Sequence, residues 1–303
     1  MTVIAREPPE PGDLFATTSR FTGSTFLLEV RRCPWETPNS SCKCTTFIPS
    51  LDRSTGKLEA MRRSLGPLLC ELHAHTRWSD GELTLAELVD LHGRSGFDVL
   101  CVTDHVVRSD DPWREEAGLP FSSVDEQTWP QYLAAVEREA TRAWRTYGML
   151  VVPGLELTFN DDEPVLAAHA VAIGLRRFVS VDDGMAEAMR AAADAGAAIV
   201  AAHPSADEAS VERGCLTKRF SRDAGLRELA HRFELFNRTQ LFGWVADMGL
   251  PAVASGDFHV PEHLVGWKTL LPSLHDEIAI VDYLRSPRPV YITRLERELL
   301  EAA

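Results

Sequence analysis

From Gly66 onward the sequence predicts an α/β fold whose seven or eight short strands curl into a closed or nearly closed barrel. Three observations predict it. Short apolar runs alternate with segments whose apolar residues recur at helical spacing. Glycine and other turn residues separate the two kinds of segment. Ionisable residues gather at the ends of the strand-like runs, as they do at the mouth of a barrel. Alternation of this kind implies parallel βα units, and this many strands favour a barrel over an open sheet.

The elements follow in order. "PLLCELHAHT" is an apolar run that ends in polar residues. "LTLAELVDLHGRSG" is a helix with Thr84 at its start and Gly96 at its stop. "FDVLCVTDH" is a strand, and "QYLAAVEREATRAWRTYG" is a helix closed by Gly148. "MLVVPGLELT" and "HAVAIGL" are strands. "VDDGMAEAMRAAADAGA" is a helix, and "AIVAAHP" and "HRFELFN" are strands. "TQLFGWVADMG" is helix-like, "PAVASGDFH" a strand, "HDEIAIVDYLRS" a helix and "PVYITR" a last strand. There is no internal repeat.

Residues 1–65 differ in character. "EPPEPGD", "CPWETPNSSCKCTT" and "PSLDRSTGK" are turn and loop compositions, interrupted by one strand-like run, "STFLLEV". This part is expected to be an irregular or partly disordered N-terminal extension, with the barrel occupying 66–303. Met61 opens "MRRSLGPLLCELHAHT" and is an alternative expected start.

Composition narrows the function. Among 303 residues, 45% are hydrophobic and 25% charged, a soluble globular mix. No apolar run reaches the roughly 20 residues that span a bilayer, and the first residues lack a secretory pattern. A cytoplasmic setting without a membrane partner is expected. A net charge of -14 argues against a dedicated nucleic-acid binder. Of the six cysteines, Cys70 and Cys101 lie in apolar runs and read as buried thiols. Cys33, Cys42 and Cys44 cluster in the extension, where the short Cys42-x-Cys44 spacing lacks the partners a zinc module needs, and Cys215 stands apart.

The strand ends carry the chemistry. They present His73, His75 and Asp80, then Asp104 and His105, then Glu156. His169 is unusual in beginning its strand. His203, Glu234, Asn237, Asp257 and His259 follow. Alternate strand residues share a face, so His73 and His75 can act together, as can Asp257 and His259. Six of the ten histidines fall in this set, and imidazoles mixed with carboxylates are the ligand type for zinc, manganese or iron. A lone histidine is usually a structural hydrogen-bonder, the reading given to His92, His231, His263 and His275. Asp80-Gly81 alone reads as an ordinary turn. The joint pattern is what points to metal.

At this point the sequence resembles the PHP family, the polymerase and histidinol phosphatase superfamily. The family's D-L-H-x-H-T-x-x-S-D-G string is met by "ELHAHTRWSDG", T-D-H by "VTDH", and the ligand glutamate after glycine by "PGLEL". "HAVAIG", "AAHP" and "SGDFH" match the later motifs, in order, from about Leu68 to Thr269. The resemblance implies a distorted seven-stranded α/β barrel and two or three divalent ions. The implied ligands are His73, His75, Glu156 and Asp257 for one ion, His169 and His203 with a bridging Glu156 for a second, and Asp80, His105 and His259 for a third. Glu71 replaces the family's usual aspartate, and "SGD" reverses its usual glycine and serine. The helical insertion common in members acting on nucleoside bisphosphates or RNA ends is absent between His169 and His203, which weakens that substrate. No polymerase body follows, so proofreading within the same chain is not expected.

The implied activity is hydrolysis of a small phosphomonoester or nucleotide by metal-activated hydroxide. Cations are needed against the developing charge. Arg108, Arg238 and Lys268 are candidates, each readable also as a solvated surface charge. Asp104 can orient a ligand histidine or protonate a leaving group, and orientation is preferred. An amide- or carbamate-cleaving metallohydrolase and a non-enzymatic metal-dependent binding module are the competing readings. Oligomeric state is left open.

Overall fold

The computed structural model describes residues 66–111, 123–163, 165–206 and 217–296. The N-terminal extension, its strand-like run, and Cys33, Cys42, Cys44 and Cys215 lie outside the described residues. Strand β1 (Leu68–Glu71) is followed by helix α1 (Leu85–Arg94). Thr84, the start expected from the sequence, forms a reciprocal capping box with Glu87. Then come β2 (Val99–Val102), β3 (His105–Val107) and α2 (Trp129–Tyr147), which ends at Gly148 in the left-handed conformation. β4 (Leu150–Phe159), β5 (Ala168–Ile173), α3 (Met185–Asp194) and β6 (Ala198–Ala201) succeed them. Two short turns of helix, α4 (Arg219–Arg222) and α5 (Ala224–Arg227), precede β7 (Arg232–Asn237), β8 (Gln240–Leu241), α6 (Gly243–Asp247) and β9 (Ala252–Ser255). A 3-10 turn (Pro261–Leu264), β10 (Gly266–Leu271), α7 (Glu277–Arg285) and β11 (Tyr291–Leu295) complete the described chain.

The expected barrel is present in distorted form. Strands β1, β2, β4, β5, β6, β7 and β9 are paired in that order. The curl closes beyond the ends of β1 and β9, where Ala74 bridges Phe258 through two backbone hydrogen bonds, His75 N–H to Phe258 O and Phe258 N–H to His73 O. That makes a ring of seven. Lower down, the Thr269 hydroxyl joins β10 to β9, accepting from Ala254 N–H at 2.9 Å and donating to Ala254 O at 2.8 Å.

The expectation of purely parallel βα units is wrong. β5 is antiparallel to both β4 and β6, and β10 is antiparallel to β1 and β11. The physical reason is the connection from Phe159 to Ala168. It holds no helix among its described residues, and a parallel crossover needs a dozen or more residues. Strands β3 and β10 and the helices α4 and α5 are additions to the elements read from the sequence, and the start of the helix-like "TQLFGWVADMG" is instead strand β8, paired with the end of β7.

The strands are buried on both faces. One face packs Leu100, Val102, Leu155 and Ile199 against α1, α2 and α3. The other packs Cys70, Cys101, Val152, Val171 and Val200 with Ile280 and Leu284 of α7. Cys70 and Cys101 are buried free thiols, as expected. Among the described residues no helix is long and apolar enough to cross a membrane.

Candidate metal centre

The ring gathers its polar residues at one end. His73 and His75 lie on the extension of β1, one residue either side of the bridge at Ala74. Glu156 lies late in the long β4, with His105 of β3 directly beside it in register. His169 begins β5. Because that strand runs antiparallel, its beginning lies at the same end as the others' finishes, opposite Thr158. His203 follows β6 and Asp257 follows β9. His203, Arg238 and Asp257 have φ of 30, 54 and 41, and they are the non-glycine residues with positive φ among those described. Such conformations cost of order 1–3 kcal/mol each and cluster at functional sites.

Four ligand atoms form the first group. Glu156 Oε2 lies 3.3 Å from His73 Nε2 and 3.4 Å from His75 Nε2. Asp257 Oδ1 lies 3.5 Å from each of the same nitrogens. A tetrahedral ion with ligands at about 2.0–2.2 Å has ligand–ligand edges of about 3.3–3.6 Å. These four separations match edges of such a tetrahedron, and His73, His75 and Glu156 together form a group able to hold an ion.

The other carboxylate oxygen of Glu156 belongs to a second group. Oε1 is 3.2 Å from His169 Nδ1 and 3.2 Å from His203 Nε2. A third group holds Asp80, His105 and His259, with Asp80 3.6 Å from His105 Nε2 and 3.2 Å from His259 Nε2. His75 also borders this group. Its Nε2 faces the first group, however, and its Nδ1 lies 3.3 Å from the Ser79 hydroxyl. Nδ1 is also 3.6 Å from Asp80 Oδ1, so His75 stands between the two groups, with Nε2 toward the first and Nδ1 toward the third.

The residues fit divalent ions. Glu156 Oε2 lies 2.9 Å from His105 Nδ1, while His73 Nε2, His75 Nε2 and His169 Nδ1 are buried and have no hydrogen-bond partner. Buried polar atoms are rarely left so. Electrostatics agree. Burial, with His259 and His105 nearby, pushes His75 down to about 3, leaving it neutral and free to donate its lone pair. Burial opposes ionisation of Glu156, but His105 and His73 outweigh it and hold the carboxyl well below its usual range. Burial is likewise outweighed at Asp257, mainly by His73.

No family model matches the sequence, and no curated protein matches it. Among solved structures, a two-domain protein from Bacteroides vulgatus, described as containing a predicted PHP-like metal-dependent phosphoesterase, superposes with a TM-score of 0.53 at 20% identity. The match covers 78% of this chain and 68% of that one. The fold is PHP-like. A candidate metal-dependent phosphoesterase from Bifidobacterium adolescentis gives a TM-score of 0.38 at 17% identity, over 71% of this chain and 94% of that one. An amidohydrolase from Chromobacterium violaceum gives 0.43 at 16% identity, over 67% and 92%. Scores that low do not establish a common fold.

Around the candidate centre, neighbouring side chains orient the imidazoles. Glu234 takes the Nδ1–H of His73 at 2.9 Å, which leaves Nε2 for the first group. Asn160 Oδ1 takes the Nε2–H of His169 at 2.9 Å, and Asn160 Nδ2 donates to Asp111 at 3.0 Å. Thr158 Oγ1 lies 2.7 Å from His105 Nδ1. The sequence lists Glu234 at a strand end without giving it a role. Asn160 and Thr158 carry no signal beyond standing four and two residues after Glu156.

The four non-ligand candidates are placed unequally. Asp104 is fully buried and accepts from Thr76 N–H at 2.8 Å and from the hydroxyls of Thr76 and Ser79. It reaches His75 only through Ser79. Arg238 donates to Asp257 O and, at 3.1 Å, to Asp257 Oδ2, with its side chain 35% exposed. Arg108 lies over the Phe159 ring at 4.2 Å and pairs with Asp110. Lys268 has no exposed surface, and its ammonium is 2.9 Å from Glu71. A buried, paired ammonium does not reach a substrate, so the structure separates Lys268 from the two arginines.

Proposed function

We propose that this chain is a metal-dependent phosphoesterase that hydrolyses a small phosphomonoester or nucleotide. The observation that supports it is Glu156, whose two oxygens face different imidazole sets: Oε2 with His73 and His75, Oε1 with His169 and His203. One carboxylate shared between two cation positions is the arrangement used in paired-ion phosphoryl transfer. In this reading His73, His75, Glu156 and Asp257 hold one ion, Glu156, His169 and His203 a second, and Asp80, His105 and His259 a third. Zinc, manganese and iron all suit such donors.

Divalent ions bound there supply an activated water and polarise the phosphoryl oxygens. The chain supplies the rest. Arg238 keeps Asp257 Oδ2 occupied, so Oδ1 stays turned to the ligand group, and its exposed part offers a donor to a phosphate oxygen. Arg108 offers a second cation from the end of β3. Asp104 fixes the loop after His75 instead of meeting substrate. The unit carrying the activity is 66–303, acting in the cytoplasm on a small phosphorylated partner.

A panel of phosphate esters, amides and carbamates, assayed with manganese and with zinc, tests the reading. Phosphate release is expected, abolished in His73→Ala and Asp257→Ala together with metal content. Cleavage of amides alone would replace the phosphoesterase reading with an amidohydrolase one. Full activity in both alanine variants would remove the site.

A further inference from the structure

Beneath the ligands lies a buried ion pair that the proposed chemistry does not use. Glu71 ends β1 and Lys268 lies in β10, both without exposed surface, with Nζ 2.9 Å from Oε2. Lys268 also donates to His263 O at 3.2 Å. The other carboxylate oxygen, Oε1, accepts two backbone N–H groups, Gly256 at 2.7 Å and His73 at 3.3 Å. One belongs to a ligand residue and the other immediately precedes Asp257. A single oxygen therefore ties together the two chain segments that supply His73 and Asp257.

The fit is close. A Cβ at position 256 would lie 2.2 Å from Glu71 Oε2 and 2.5 Å from Lys268 Nζ. The glycine there makes room for the carboxylate. Asp257 follows at φ 41, a conformation that persists only where neighbours enforce it. Buried ion pairs are weak sources of stability, so the two charges are poorly explained as a simple staple.

We propose that Glu71 is a positioning residue for the metal centre. Its carboxylate, clamped by Lys268 and admitted by Gly256, sets the separation between His73 and Asp257. The inference rests on the metal reading above.

Coupled substitutions test it, with cobalt(II) as the probe. Glu71→Asp withdraws the carboxylate by one methylene from the Gly256 N–H. Gly256→Ser drives a side chain onto Glu71. The double variant puts the serine side chain into the space vacated by the shorter acid and by the Lys268 ammonium that follows it. Equilibrium dialysis, the visible d–d spectrum of bound cobalt and far-UV circular dichroism are read on each protein. Each single variant is expected to keep its fold, bind cobalt about tenfold or more weaker, and show an altered spectrum. The double variant is expected to recover the wild-type spectrum and most of the affinity. Single variants with wild-type affinity and spectrum overturn the proposal, as does a double variant no better than the worse single one. If Gly256→Ser does not fold, folded Glu71→Asp with a wild-type cobalt spectrum overturns it alone. A wild-type protein that takes up no cobalt overturns the metal reading and this inference with it, an outcome distinct from wild-type uptake with indifferent variants.

Discussion

Glu234 accepts the Nδ1–H of His73 at 2.9 Å through Oε1. The same carboxylate also takes the Ser255 hydroxyl, the His203 N–H and the Asn237 amide. One side chain on β7 thus joins the ends of β1, β6 and β9 and selects the tautomer of a ligand histidine. Every group facing it is a donor. Glu234→Gln would set an amide NH2 against one of them. Metal affinity should fall about 10–100-fold with the fold intact, the usual loss when a ligand's outer partner is changed. Competition against a chromophoric chelator measures this, and unchanged affinity would show that His73 needs no such partner.

Asn160 allows a more selective perturbation. It touches His169 and Asp111, not the first ligand group. Asn160→Ala should release the ion shared by His169 and His203 and leave the one at His73 and His75. Elemental analysis after dialysis should show about one equivalent fewer per chain than wild type. Equal stoichiometry in the two proteins would break the link between Asn160 and the second group.

Thr269 probes the seam of the ring. Its hydroxyl satisfies both the N–H and the C=O of Ala254. Thr269→Val keeps the shape and orphans both groups, at about 1–3 kcal/mol for each. Urea unfolding should show the loss, while metal bound per folded molecule stays unchanged. A stability equal to wild type would mean that the seam is held elsewhere.

The local elements were legible because each carries its own signal. Thr84 and Gly148 mark helix ends in the sequence as plainly as in the fold. Strand direction was not legible, since β5 has the same apolar pattern whichever way it runs. His169 at the start of its run was the one hint, and only the antiparallel register explains it. The ligand types could be read from spacing and resemblance. Their partners could not, because Glu234 meets His73 across 161 residues and Lys268 meets Glu71 across almost the whole described chain. A lysine near a ligand motif looks like a phosphate contact until its burial is known.

His92 gives a pH prediction away from the ligand set. It is fully buried on α1, with its ring edge-on to Phe97 and Phe258. Nδ1–H donates to Leu88 O at 3.0 Å, and Nε2 has no hydrogen-bond partner. Burial pushes its pKa down to about 4, with Glu71 opposing only in part. In the unfolded chain it titrates near about 6.5. Between these values the unfolded state holds a proton that the folded state refuses. The contribution of His92 to stability is therefore complete above pH of about 6.5, shrinks as pH falls, and levels off below about 4. From pH of about 7 to about 5 the loss amounts to about 2 kcal/mol. His92→Leu removes the titrating group while keeping an apolar side chain. Denaturant unfolding of metal-free wild type and variant at the two pH values should show wild type losing about 2 kcal/mol more. Using metal-free protein for both cancels the titration of the ligand histidines. Parallel pH dependence in the two proteins would mean that His92 is charged, or reached by water, in the folded chain.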